Sequence, residues 1–192
     1  MLSMIITALP VILGSIINTF FLKTHLFQVI NKPIDNNIIL KDGKRLFGQN
    51  KTWRGFWGMV FFSSICVMLW GLLGKLIPDI QNNNLLYTNY ENSFLYNIAI
   101  GGLLGLAYGI FELPNSFLKR RVGIQPGKSR ISALGIIFVI YDQIDSLFGC
   151  VLVISFVHPM SIVYYFSYVF LGGGIHISMS YVFYLLKLRK NF

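Results

Sequence analysis

Five stretches of this chain are too long and too apolar to be left in water, and they dictate most of what it can become. Residues 4–22 run for 19 positions without a charge, enough for roughly 29 Å of helix, which matches a bilayer's hydrocarbon core. Residues 56–74 and 94–111 are equally clean. Residues 131–157 would be, except for Asp142 and Asp145, and residues 160–186 are interrupted by Gly172, Gly173, Gly174 and His176. Composition agrees: of 192 residues 55% are hydrophobic and only 12% charged, whereas an average soluble domain is about a quarter charged. The expected fold is all-α, a polytopic membrane protein forming one domain over residues 1–192. It has five transmembrane helices near 4–22, 56–74, 94–111, 131–157 and 160–186, and two cytoplasmic basic loops at 23–55 and 112–130. A signal peptide fits the first window poorly, because no Lys or Arg precedes it and Lys23 follows it.

The loops set the orientation. Lys23, Lys32, Lys41, Lys44, Arg45, Lys51 and Arg54 lie between the first two windows, and none lies between Asp79 and Ser93. Lys119, Arg120, Arg121, Lys128 and Arg130 follow the third window, only His158 the fourth, and Lys187, Arg189 and Lys190 the fifth. Basic and non-basic connections alternate throughout, which by the positive-inside rule puts the N-terminus outside and both basic loops and the C-terminus in the cytoplasm. The expected location is the cell membrane. Sixteen Lys and Arg against seven Asp and Glu leave a formal charge of +9. On so apolar a chain this suits anionic lipid or phosphate-bearing substrates, and nucleic acid is not expected. Cys66 and Cys150 sit in apolar runs without ligand-like spacing, so neither a disulfide framework nor a zinc site is indicated. Gly101, Gly105 and Gly109, spaced by four, form a helix-packing stripe that could serve within one chain or between the subunits of a homo-oligomer. Residues 81–92, rich in Asn and Tyr, read as a short external loop without chemistry.

Asp142 and Asp145, in YDQIDSLFG, are the most informative residues. A helix starting near Ile131 places Asp142 roughly 16 Å from the cytoplasmic side. Three residues apart, the two carboxylates share a face with Ser146 and Gly149. A bare carboxylate at that depth costs at least about 2.5–3.5 kcal/mol, so the pair needs a cation or a wet cavity. Mg²⁺ is the natural partner, since it takes hard oxygens from one or two carboxylates and from substrate phosphates. The alternative is a structural ion pair with a Lys or Arg of another span, although the basic residues lie in loops, the tail or near helix ends.

The loop DGKRLFGQNKTWRG offers glycine-punctuated backbone, the cations Lys44, Arg45, Lys51 and Arg54, and amide or hydroxyl donors such as Asn50 and Thr52. It is not a Walker A loop, because Gln49 and Asn50 separate Gly48 from Lys51 and no strand precedes it. The inventory nonetheless suits a polyphosphate. Trp53 reads as an interface anchor. The third connection brings Glu112 at the membrane edge, the Lys119-Arg120-Arg121 cluster, and Gly127-Lys128-Ser129 after a Gln-Pro turn.

NKTWRG, ELPNSFLKRR followed by a Gly and a PG, and DQIDS together resemble pieces of the CDP-archaeol synthase family. That family is related to the CTP:phosphatidate cytidylyltransferases, whose signature likewise ends in two aspartates three apart followed by Ser. The resemblance spans nearly the whole chain. It implies an enzyme that transfers a cytidylyl group from CTP to a membrane lipid phosphate and releases pyrophosphate. By the same resemblance Asp142 and Asp145 bind Mg²⁺ and, with Lys119, form the catalytic set. Lys51, Lys119 and Arg120 hold the triphosphate, while Ser116 and Asn50 supply hydrogen bonds; Thr52 and Arg54 complete the nucleotide-contact candidates. Glu112 stands where archaeal members carry an aspartate, as a metal or nucleotide contact. His176 resembles a late His of the family, but the Asn expected four residues on is Ser180. Two other readings compete. A cation or proton transporter would use the aspartates but not the two basic loops, and a non-catalytic membrane protein binding anionic lipid through Lys119-Arg120-Arg121 would tolerate Asp142→Asn.

Overall fold

The computed structural model describes residues 1–125 and 133–185, with backbone alone at 133–136, 180 and 182–185. Among these residues the chain is helical: α1 (Leu2–Phe21), α2 (Trp53–Leu76), a short α3 (Pro78–Asn82), α4 (Phe94–Arg121), α5 (Ala133–Val157) and α6 (Ile162–Leu185). By length and composition five segments can cross a membrane: Leu2–Phe21, Trp53–Leu76, Phe94–Arg121, Ile137–Val157 and Ile162–Met179. The chain is a multi-pass membrane protein. Local chemistry sets the ends. Thr52 caps α2, its hydroxyl accepting from the Gly55 amide, and Ser93 caps α4 through the Tyr96 amide. Pro78 opens α3, where its missing N–H costs nothing. Lys119, Arg120 and Arg121 fill the last turn of α4, against the negative end of its dipole, and Gly123 then takes a left-handed φ of +78°.

The helices pack in the order α1–α2–α4–α5–α6, and α6 returns to touch α1. Glycine lets α2 and α4 meet backbone to backbone. A Cβ on Gly105 would fall 2.7 Å from the Val60 Cα and one on Gly101 would fall 2.8 Å from the Ser63 carbonyl oxygen, so no larger residue fits without separating the helices. The glycine stripe is therefore used within the chain. Gly149 does the same for α5 against the Ala107 carbonyl of α4, at 2.6 Å. This stacking fixes the register of α4 against α5, on which the site depends.

Three features differ from expectation. α4 does not stop at Phe111 but runs ten residues further to Arg121, about 15 Å of helix. Most of what reads as loop at 112–121 is thus a rigid extension, with Pro114 inside it. Hydropathy falls there because the helix has acquired a polar face, not because it has ended. Next, the segment 81–92 is tied down. Leu85 and Leu86 are buried, the Leu85 amide donates to Thr7 of α1, and Tyr96 donates to the Leu86 carbonyl. Tyr87 donates to Asn97, Asn97 to Asn92, and Asn92 to Gln81 and to the Gly71 carbonyl. Finally, the loop between α1 and α2 is folded by two isolated bridges, Pro33 with Thr52 and Ile39 with Arg45. Asp35 is its hub, buried, bonded to the Asn37 and Phe47 amides and paired with Arg45 at 2.6 Å. Burial alone would raise the Asp35 carboxyl, but the Arg45 guanidinium and the two amides hold it below its ordinary value.

Candidate active site

Continuing α4 past Phe111 lines up Glu112, Asn115, Ser116, Lys119 and Arg120 at helical spacing on one face. α5 presents Asp142 and Asp145 to that face. The Asn115 side-chain nitrogen donates to the Asp142 Oδ1 and to the Asp145 Oδ2, each at 2.6 Å, and the Lys119 ammonium bonds both Asp142 oxygens. Asp145 also accepts from the Ser146 amide at 2.6 Å and from its hydroxyl at 3.2 Å. Asn115 is 2% exposed and Asp145 5%, so both lie out of bulk water.

The cation that the sequence demanded for Asp142 is therefore Lys119, brought in by the extension of α4. The ion-pair alternative is present for this aspartate, and Asp145 relies on neutral donors. The depth is close to the expected 16 Å: Asp142 stands nine residues into α5 (Ala133–Val157), about 14 Å, level with the last two turns of α4. The carboxylates are thus close to the basic end of the bundle.

The loop before α2 closes over this cluster. Lys51 pairs with Glu112 at 2.5 Å, and the Gly48 amide donates to the Ser116 hydroxyl at 3.2 Å. A Cβ on Gly48 would lie 3.7 Å from the Arg120 guanidinium, so the loop backbone rides directly over that cation. Burial works against the Lys51 charge, but Glu112, with Asp145 and Asp142 behind it, outweighs this and holds the ammonium above the ordinary lysine range. The Arg120 Nε is buried without a hydrogen-bond partner. Asn50, Lys51 and Thr52 border a cavity of about 200 Å³ that reaches Glu112 and Tyr108 of α4 and Ser15, Asn18 and Thr19 of α1.

Of the residues expected here, Asp142, Asp145, Lys119, Glu112, Lys51, Ser116 and Arg120 come together, with Asn50 on the adjoining cavity. Thr52 also borders that cavity, but its hydroxyl is engaged as the cap of α2. Arg54 is a correction. It is 1% exposed and donates to the carbonyls of Phe21, Leu22 and Thr24, its plane 4.6 Å from the Phe21 ring centre. Phe21 also accepts from the Thr24 amide and hydroxyl and Thr24 from Gln28, so the buried guanidinium adds to the turn bonds that close the end of α1 and supplies a donor to Leu22. Arg54 is thus spent on structure. His176 is hydrogen-bonded through Nδ1 to Gln143 at 2.9 Å and lines a pocket with Tyr108 and Ser146. Gly127, Lys128, Ser129, the tail cations and the Ser180 side chain lie outside the described residues. Asn115, which sequence reasoning passed over, bridges both aspartates. Its signal is its place four residues before Lys119, visible once α4 is carried through 112–121.

No group of three or more His, Cys, Asp or Glu side chains able to hold a metal occurs among the described residues. Mg²⁺ is commonly bound through one or two carboxylates plus substrate phosphates rather than in an all-protein cage. The residues fit: one amide nitrogen reaches an oxygen of each aspartate at 2.6 Å, so the two hard oxygens converge on a single point.

A family model described as CarS-like, CDP-archaeol synthase, matches residues 1–192. The CDP-archaeol synthase of Archaeoglobus fulgidus is 28% identical over 162 residues, 82% of each chain. That of Methanosarcina barkeri is 27% identical over 170 residues, 83% of this chain and 89% of its own. That of Pyrococcus abyssi is 33% identical over 95 residues, and there the matched region spans 50% of this chain and 49% of the relative, about half its length. A solved structure described as an intramembrane enzyme for archaeal membrane lipids biosynthesis shares the fold, with a TM-score of 0.59, 21% identity, and 92% of this chain and 91% of that chain covered.

Proposed function

This chain belongs to the CDP-archaeol synthase family, and from that membership we propose that it transfers a cytidylyl group from CTP to a membrane lipid phosphate. An oxygen of the lipid phosphate forms a bond to the α-phosphorus as the bond to the β-phosphate breaks, and pyrophosphate leaves. A phosphate monoester is already ionised near neutral pH, so no general base is needed. What the site must do is place two anions in line and neutralise their charge.

Asp142 and Asp145 would hold Mg²⁺, which when bound supplies charge neutralisation at the phosphates. Lys119 stays on Asp142 and turns its remaining donor capacity toward the triphosphate. Arg120 and Lys51, at the mouth, take the outer phosphates, with Ser116 and Asn50 as hydrogen-bonding groups. Glu112 orients Lys51. The basic end is cytoplasmic, where it captures water-borne CTP, and the N-terminus is outside, in the cell membrane. The lipid reaches the carboxylates laterally, which their position within a membrane-spanning helix allows.

The observation that carries this reading is the meeting of Asp142, Asp145 and Lys119 under a loop whose Lys51 and Gly48 are fastened to α4. It is tested with purified protein, Mg²⁺ and CTP labelled in the α-phosphate, offered phosphatidate and an archaeal ether-lipid phosphate in parallel. Label should enter the organic phase, depend on Mg²⁺ and vanish in Asp142→Asn. Folded protein that labels neither lipid, nor other lipid phosphates, would overturn the proposal.

A further inference from the structure

Among the described residues Asn115 is the one side chain bonded to both aspartates, and it is used lopsidedly. Its nitrogen makes both bonds, each at 2.6 Å. Its oxygen is buried and accepts nothing. An asparagine carries acceptor and donors at opposite corners of one planar group, and buried carbonyl oxygens are rarely left without a donor. Here half of the group is engaged and the other half has no counterpart.

A half-turn about the Cβ–Cγ bond exchanges the two ends. The oxygen then stands where the nitrogen stands now, beside the Asp142 Oδ1 and the Asp145 Oδ2. Three oxygens facing one point repel each other unless a cation lies between them, and with a cation they form the hard-oxygen set that Mg²⁺ and Mn²⁺ prefer. The backbone need not move, because Asn115 is held in α4 and the aspartates in α5, and the glycine contact of Gly149 with Ala107 fixes the two helices. Lys119, which bonds both Asp142 oxygens without the cation, would then release Oδ1 and keep Oδ2.

We propose that Asn115 is a third protein ligand of the divalent cation, its amide presenting nitrogen to the aspartates when no cation is held and oxygen when one is. The proposal rests on the reading that the aspartate pair takes a divalent ion, and it adds a ligand that carries no charge. In the ion-free setting the amide N–H groups also keep the two carboxylates from repelling each other, so the site stays assembled while it waits.

The test is Mn²⁺ binding to the full chain in detergent, without nucleotide, read from the electron paramagnetic resonance of free Mn²⁺. Asn115→Asp keeps an oxygen at the same reach and should bind Mn²⁺ at least as tightly as the natural chain. Asn115→Leu should weaken binding about tenfold or more. If Asn115 were only a hydrogen-bond bridge competing with the ion, Asn115→Leu would bind as tightly or more tightly, and that result overturns the proposal. So does weaker binding by Asn115→Asp, which keeps the question decidable if the leucine variant does not fold, and so does an absence of Mn²⁺ binding by the natural chain. Because no CTP is used, the expected pattern without cytidylyl transfer would leave the ligand in place and remove only the proposed activity.

Discussion

Lys51 and Glu112 are 61 positions apart in the chain and 2.5 Å apart in space. The pair fastens a loop to a helix. It therefore sets how closely the backbone around Gly48 approaches Ser116 and Arg120, as well as placing a cation. Lys51→Met should raise the KM for CTP about tenfold and leave the KM for the lipid phosphate unchanged. Glu112→Gln should do the same more weakly, because Lys51 then keeps its charge but loses its direction. Glu112→Asp, the residue that the resemblance leads one to expect, should retain most activity. The raised Lys51 pKa keeps this ammonium charged through the neutral range, and its contribution fades only as pH climbs through that raised value. The pair should thus leave no inflection in a pH–rate profile near neutrality, and steady-state kinetics with each substrate varied in turn checks all of this.

Lys119 and Asp142 offer a sharper contrast between stability and activity. Removing either partner leaves the other charge partly buried and uncompensated, a loss of about 3–5 kcal/mol when a buried pair is broken. Lys119 is 17% exposed and Asp142 37%, so solvent screening should bring the real cost well below that figure. The double variant Lys119→Met with Asp142→Asn should unfold at a higher temperature than at least one single variant, yet both singles and the double should lose at least about a hundredfold in transfer. Thermal unfolding beside label transfer separates the two effects.

Arg54→Met should behave in the opposite way. Three main-chain carbonyls lose a charged donor at once, although Phe21 keeps the Thr24 amide and hydroxyl and Thr24 keeps Gln28, a destabilisation of about 1–3 kcal/mol. Protein that remains folded should keep the natural KM for CTP. A large rise in that KM without loss of stability would return Arg54 to the phosphate-contacting set.

Asp35 makes the loop acid-sensitive. Its folded pKa lies below the ordinary 3.8, so its stabilisation is complete above that value and is lost as pH falls through the lower one. The thermal midpoint of the natural chain should fall as pH drops below about 4, and Asp35→Asn should start lower and show a shallower acid limb.

The spans were legible because lipid forbids charge over a fixed length, and each of the five apolar windows lies largely within one described helix. The aspartates were legible for the same reason: two carboxylates in an apolar run demand an explanation. The extension of α4 was not, because hydropathy reports where a helix is greasy rather than where it stops, and Pro114 in ELPNS reads as a break. Asn115 was lost with it, since an uncharged amide outside a window draws no notice until its helical face is drawn. Arg54 was misplaced for the converse reason. A cation beside Gly and Thr looks like a phosphate ligand, and only the folded chain shows the end of α1 lying against it.

The far end of the bundle has a consequence for which end can adjust. Leu85 and Leu86 are wedged beneath the amides of Gln81, Asn92 and Asn97, while Tyr168 is latched to the Met4 carbonyl and Asn89 to the Val157 carbonyl. These bonds tie the segment between α2 and α4 to α1, α2, α4 and α5 at the end of the bundle away from the aspartates. The helices are thus stitched together at one end, which leaves the other, where α4 and the loop before α2 carry the cations, as the end free to adjust around a substrate.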